Sequence, residues 1–224
     1  MVHGAIPTLP PTRPADPPTA FGPQRLFLDD VPWDFYTSCL NTIRDKSLRV
    51  TFHRGRLEIM APLSEHEIWK RAIGRFIEQI CFERDIPFRA IGSTTVRRDD
   101  RQAGLESDEA FYIQRAAAVV GKMQLDFTVD PVPDLAVEID ITRRSVPRQP
   151  IYADLGVPEL WRFDGQRLSV LALTPTGRYE DRPTRIAFPF LPMDEFRRFL
   201  EMTRTTDDTT AMRAFQQWVR TLSR

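Results

Sequence analysis

One stretch, PDLAVEIDITRR from Pro133 to Arg144, constrains the fold more than any other part of this 224-residue chain. Side chains on a strand alternate between faces with a period of two. Leu135, Val137, Ile139 and Ile141 therefore share one face, and Asp134, Ala136, Glu138 and Asp140 the other. The first face is apolar enough for complete burial, while the second gathers three carboxylates. A row of like charges repels unless water, a cation or a basic side chain lies against it. Two readings follow. The segment is either a partly exposed edge strand whose acids pair with arginines such as Arg143, Arg144 and Arg162, or a buried strand whose acids form a site. The strand alone does not separate them.

Bulk composition narrows the partners rather than the fold. Lysine plus arginine and aspartate plus glutamate both number 31, so any contact with an anionic polymer needs a local basic patch, not a whole-protein field. A hydrophobic fraction of 42% and a charged fraction of 28% are those of a globular protein with ample core. Cys39 and Cys81 make neither a disulfide framework nor a metal knuckle, and are expected as reduced thiols. The first residues lack the apolar run of a signal peptide, and no segment is long and apolar enough to span a bilayer. A cytoplasmic protein without membrane contact is the expectation.

Seven of the 19 prolines precede Gln24, among almost no large apolar residues, which makes residues 1–24 a disordered or loosely draped arm. Residues 25–224 are expected to form a single domain. Asp34 to Arg44 predicts a short helix. LRVTFHRGRLEIMAP predicts a hairpin turning at Arg54-Gly55. Ser64 and Glu67 have the spacing of a capping box, Leu63 can staple onto Ile68, and Ile68, Ala72, Ile73, Phe76, Ile77 and Ile80 recur at helical spacing. The main helix is therefore expected from Glu65 to Arg84.

A strand over Phe88 to Arg97 should follow, then a polar loop, RRDDRQAGLES, and a strand beginning near Asp108. Ala116 to Thr128 reads as a mobile connection. After the acid-bearing strand, Pro150 suits the first position of a helix that stops at Gly156. A hairpin turned by Asp164-Gly165, a short further strand and two C-terminal helices complete the chain. The expected class is α/β, a mixed sheet flanked by helices.

Asp108 is the second acid of interest. On its own, an aspartate where a strand begins is ordinary turn chemistry. A strand-start acid and a mid-strand acid can also converge on one hard divalent cation, which takes oxygen ligands and typically one or two carboxylates plus waters and phosphate. His66 lies one turn inside a helix start, where the positive end disfavours the imidazolium and a neutral ring could accept a proton or meet a metal; an exposed polar residue is the plain alternative. Tyr152 is expected to pack, though it can reach the acid face. Trp161 and Phe163 read as core, and His53 as structural.

GLESDEAFYI followed by PDLAVEIDITRRSVPRQPIYADLGVPELWRFDG resembles the Uma-two family of restriction-endonuclease-like proteins, within the PD-(D/E)xK nuclease superfamily. The likeness is best from Ser64 to Gly165. It implies a restriction-endonuclease-like core and Mg²⁺- or Mn²⁺-dependent hydrolysis of DNA phosphodiester bonds. Asp108 would match the first acid, with Ser107 where proline is usual, and Glu138 the second; the Ile139 carbonyl would be a further metal ligand. The superfamily lysine, two residues after the second acid, is replaced here by Asp140. The resemblance implies a displaced lysine shortly before the tyrosine, and the matching residue here is Arg148, four before Tyr152. Arginine can bind phosphate in a forked geometry but does not readily give up a proton. The implied site is thus Asp108, Glu138, Asp140 and Arg148 at the reacting phosphate, with Arg143, Arg144, His66 and Tyr152 contacting substrate. A nuclease fold retained only for binding nucleic acid or protein is the alternative. Restriction-like folds often work as dimers, so a homodimer is also an expectation, although no seam stands out in the sequence.

Overall fold

Alternating apolar residues and turn-forming pairs build most of this protein. Its computed structural model describes residues 25–43, 48–61, 63–141, 146–181 and 186–222; the Pro-rich arm and Arg143 and Arg144 lie outside them. The elements run β1 (Arg25–Leu28), α1 (Trp33–Ile43), β2 (Arg49–His53), β3 (Arg56–Met60), α2 (Ser64–Glu83), β4 (Arg89–Ala90), β5 (Thr95–Arg98), β6 (Ala103–Glu106), β7 (Glu109–Tyr112) and β8 (Leu135–Ile139). They continue with α3 (Arg148–Leu155), β9 (Glu159–Phe163), β10 (Leu168–Leu173), β11 (Tyr179–Asp181), α4 (Met193–Met202) and α5 (Asp208–Thr221). Among the described residues no helix is long and apolar enough to cross a membrane.

The mixed α/β class is as the sequence implies, but the strands divide between two sheets. One is antiparallel, in the order β1-β3-β2-β6-β5; the other runs β11-β10-β9-β8-β7-β4 and is antiparallel except where β8 and β9 pair in parallel. The β2–β3 hairpin turns where expected, because Arg54 and Gly55 both adopt positive φ (50° and 86°), as a two-residue primed turn requires. The acid-bearing β8 is central, with β7 on one side and β9 on the other, and all five of its residues are buried. An edge strand is therefore ruled out.

Leu135, Val137 and Ile139 enter the main apolar cluster, which α2, α4 and α5 complete with Trp69, Phe76, Phe196 and Phe215. Ala136, on the opposite face of β8, packs with Ile151, Tyr152 and Leu155 of α3 and with Val96, Ala103 and Leu105 of the first sheet. Helix α3 is thus held where both sheets can reach it. A surface clamp adds to this: Asp154 accepts from His53 Nε2 at 3.0 Å and from Arg54 Nη2 at 2.9 Å, joining α3 to the β2–β3 turn.

Several local expectations are corrected. Leu63, not a serine, is the N-cap of α2, with no side-chain cap; Glu67 turns instead to Arg49, so the capping box does not form. Ile68 is 61% exposed; the apolar part of the buried stripe begins one residue later, at Trp69. The strand expected over Phe88 to Arg97 splits into β4 and β5, which join different sheets, and the polar loop after it contains β6. The Ala116 to Thr128 connection includes a 3₁₀ turn, Ala116–Val119, and buries Val119 and Phe127. Helix α3 starts at Arg148 and not at Pro150, with Pro147 as its N-cap.

Candidate active site

The register of β7 on β8 brings the two acids together. Glu109 pairs with Val137, and the Asp108 N–H donates to the Val137 carbonyl at 3.2 Å. The Asp108 carboxylate reaches across to the next residue pair and accepts the Ile139 N–H at 2.6 Å, beside Glu138. Asp108 is fully buried and Glu138 is 2% exposed. Burying ionised carboxylates is costly unless each is paired and hydrogen-bonded.

Both acids are paired. His66 Nε2 lies 3.0 Å from Asp108 Oδ2, and the carboxylate can only accept, so Nε2 carries the proton of this bond. Arg49, from the first strand of the hairpin, makes an ion pair with the other Asp108 oxygen. Glu138 accepts from Arg148 Nη1 at 2.9 Å and from the Tyr152 hydroxyl; Arg148 and Tyr152 lie one turn apart on α3. Arg148 Nη1 also donates to the Glu106 carbonyl at 2.8 Å. Asp140, further out, accepts twice from Arg162, Nη2 at 2.7 Å and Nε at 3.0 Å.

A second ring of charge surrounds this pair. Arg49 also contacts Glu67 at 3.1 Å and Glu106 at 3.7 Å. Burial lowers the Arg49 pKa, opposed by Glu106, Glu138 and Glu67. For Arg148 burial acts in the same direction, but Glu138, Tyr152 and Glu58 outweigh it and hold the guanidinium more firmly protonated. Burial raises the Glu106 carboxyl above its ordinary value, with Arg49, Lys70 and Arg148 pulling it down. Glu58 is 1% exposed, and its closest charged partner among the described residues is Arg25, at 3.7 Å.

Two clefts open beside the acids. The first, ≈ 890 Å³, is lined by Arg49, Glu67, Lys70, Ser93, Arg97 and Glu106 among others; the second, ≈ 690 Å³, by Glu138, Asp140, Arg148 and Arg162. Arg49 and Glu106 stand on the wall of the first, Arg148 and Glu138 on the wall of the second. The Arg148–Glu106 bond marks the partition.

Asp108, Glu138, Ile139, Arg148, His66 and Tyr152, all expected from the sequence, come together; Asp140 lies at the rim, and Arg143 and Arg144 fall outside the described residues. His66 is buried rather than an exposed first-turn residue, and Tyr152 turns its hydroxyl on an acid as well as packing. Ile139 meets Asp108 through its N–H. Asp134 stands apart, accepting the Ile113 and Arg115 N–H groups at 2.7 and 2.9 Å. Sequence reading missed Arg49, Lys70 and Glu106. For Arg49 a signal existed: a charge opening the strand RVTFH, the mirror of the single acid in LAVEI.

Glu138 within β8 and Asp108 just before the neighbouring β7, with Arg148 of α3 laid over the first, define an α/β protein built around a buried carboxylate centre. The chain belongs to the family described as "Uma2: Putative restriction endonuclease", whose model matches residues 33–202. Among solved structures it is similar to one titled as a "putative nuclease belonging to DUF820" from Anabaena variabilis, at 14% identity and a TM-score of 0.39, covering 66% of this chain and 83% of that one. No curated protein matches.

Proposed function

We propose that the protein hydrolyses phosphodiester bonds in DNA with the help of Mg²⁺ or Mn²⁺ held by Asp108 and Glu138. The observation that carries this reading is the pairing itself: two buried carboxylates, one strand apart, beside an arginine and an open cleft. The donor chemistry fits a hard ion, since both ligands are oxygen and the Ile139 carbonyl would add a third. Among the described residues no three His, Cys, Asp or Glu side chains are gathered for a metal. Water and substrate phosphate would then complete the shell, as Mg²⁺ commonly requires. When bound, such an ion polarises the phosphodiester and acidifies a water.

The chain's own residues would do the rest. His66 and the Ile139 N–H orient Asp108, and the Tyr152 hydroxyl orients Glu138. Arg148 would turn its forked guanidinium to the scissile phosphate, with Asp140 and Arg162 at the mouth of the same cleft. Arg148 is a charge donor here and not a base. The test is Mn²⁺-dependent cleavage of supercoiled, linear and single-stranded DNA by the wild type and Glu138→Gln. The expected loss exceeds the roughly 10–100-fold typical of changes outside the ligand shell. Equal behaviour of both proteins on every substrate removes the enzymatic reading.

A second reading is favoured by one specific observation: Asp108, Glu138 and Asp140 are each already capped by an arginine. On this reading the fold is kept for metal-independent binding of nucleic acid. It predicts DNA affinity that persists in EDTA and in Glu138→Gln.

A further inference from the structure

The basic residues of this chain are overwhelmingly arginine; only Lys46, Lys70 and Lys122 are lysine among 31. Lys70 stands on α2, one turn beyond His66, and lines the first cleft. Its amine donates to Ser93 Oγ at 2.5 Å and lies 3.5 Å from Glu67. Ser93 Oγ in turn lies 3.3 Å from the Asp108 carbonyl, which ties the lysine to the backbone of the acid centre. An ammonium has three donors. One hydrogen bond and one longer ion pair leave donor capacity facing the cleft.

The other cations differ in their commitments. Arg49, Arg148 and Arg162 are each engaged by carboxylates of the centre. Arg97, exposed on β5, lines the same cleft as Lys70 and makes no ion pair with a described residue. The Ser93 and Thr95 side chains line the space with them. Two glutamates, Glu67 and Glu106, share the wall, and both are met by Arg49. With the spare donors of Lys70, the Arg97 guanidinium and Thr95 beside them, this ≈ 890 Å³ cleft suits a phosphate better than an apolar ligand.

We propose that this cleft binds a backbone phosphate of the polynucleotide next to the one at the acid pair, with Lys70 and Arg97 as its charged contacts. The strand would then pass from the first cleft to the second across the Arg148–Glu106 partition. This inference rests on the nucleic-acid reading above and assigns its positioning subsite; Lys70 and Arg97 contact substrate without touching the scissile bond.

The test is fluorescence anisotropy of labelled duplex and single-stranded DNA on the full chain, in EDTA, across a salt series. Each neutralised phosphate contact contributes roughly 0.7–0.9 to the slope of log affinity against log salt. Lys70→Gln and Arg97→Gln should each lower the slope by about that amount. Lys70→Arg should retain it, which also guards against a folding defect in the glutamine variant. Arg213→Gln, on the outer face of α5, should leave it unchanged. Unchanged slopes in both cleft variants, an equal drop in Arg213→Gln, or no DNA binding by wild type overturns the proposal. Lys70-dependent binding without Mn²⁺ cleavage would sink the hydrolytic reading and leave this one standing. Cleavage that needs Glu138 but ignores Lys70 and Arg97 would do the reverse.

Discussion

The two faces of β8 differ in what holds them. Leu135, Val137 and Ile139 look into an aromatic cluster in which Phe76 stacks on Phe215 at 4.1 Å and Trp161 meets Phe196 edge-on at 5.3 Å. Glu138 looks into charge, held by Arg148 and Tyr152. The first face is stabilised by removing apolar area from water and by close packing. The second is stabilised only so far as each buried charge finds its counterpart, and a well-packed apolar pair could serve stability as well or better. A charged network that an apolar pair could replace without loss of stability points to a role beyond folding.

Deleting from the apolar side gives the largest effect. Trp161→Ala should cost about 3–5 kcal/mol in urea unfolding, while any protein that remains folded keeps its affinity for DNA. On the charged side, Glu138→Ala strands Arg148, and breaking a buried pair of this kind costs about 3 kcal/mol or more. Replacing Glu138 and Arg148 together by methionine should recover most of that loss. If the double variant is no more stable than Glu138→Ala, the pair does contribute net stability and the contrast fails.

A smaller test concerns the first sheet. A Cβ on Gly104 would lie 2.8 Å from Tyr36 Cζ, and the Tyr36 ring is stacked on Phe52 at 5.2 Å, so it cannot easily retreat. Gly104→Ala should therefore cost about 1–3 kcal/mol, as overpacking does. A neutral effect on thermal unfolding would show that α1 shifts freely over this sheet.

The smallest effect is a pH dependence. Burial raises the Glu109 carboxyl above its ordinary value, with Lys70 pulling the other way. A raised folded-state value means its contribution to stability is complete below the unfolded value and is lost as pH rises through the folded one. Glu109→Gln escapes that loss. The variant should melt above wild type at pH 7, and the advantage should vanish towards pH 4; a gap independent of pH would contradict the assignment.

The elements that could be read from sequence are those whose signal is local. The β2–β3 turn, α2, the acid strand and the β9–β10 hairpin each carry a period or a turn pair of their own. The division of strands into two sheets was not legible, because β5 and β6 are short and the pairing of β6 with β2, which carries both into the first sheet, is long-range. Glu138 was visible as a charge on a buried strand, whereas Asp108 alone read as turn chemistry and stood out only through the family resemblance. Their partners were harder: Arg49 lies 59 residues before Asp108, and only the fold brings them within reach. The capping-box spacing misled because Glu67 had a stronger competitor in that same arginine.

Whether these capped acids form a working metal centre is decided most directly by soaking crystals of the protein in Mn²⁺ and collecting anomalous data. Metal binding by this pair predicts a peak shared by the Asp108 and Glu138 carboxylates, with the Arg49 and Arg148 guanidiniums turned away from them. No peak at saturating Mn²⁺, with both guanidiniums still on their acids, would contradict it.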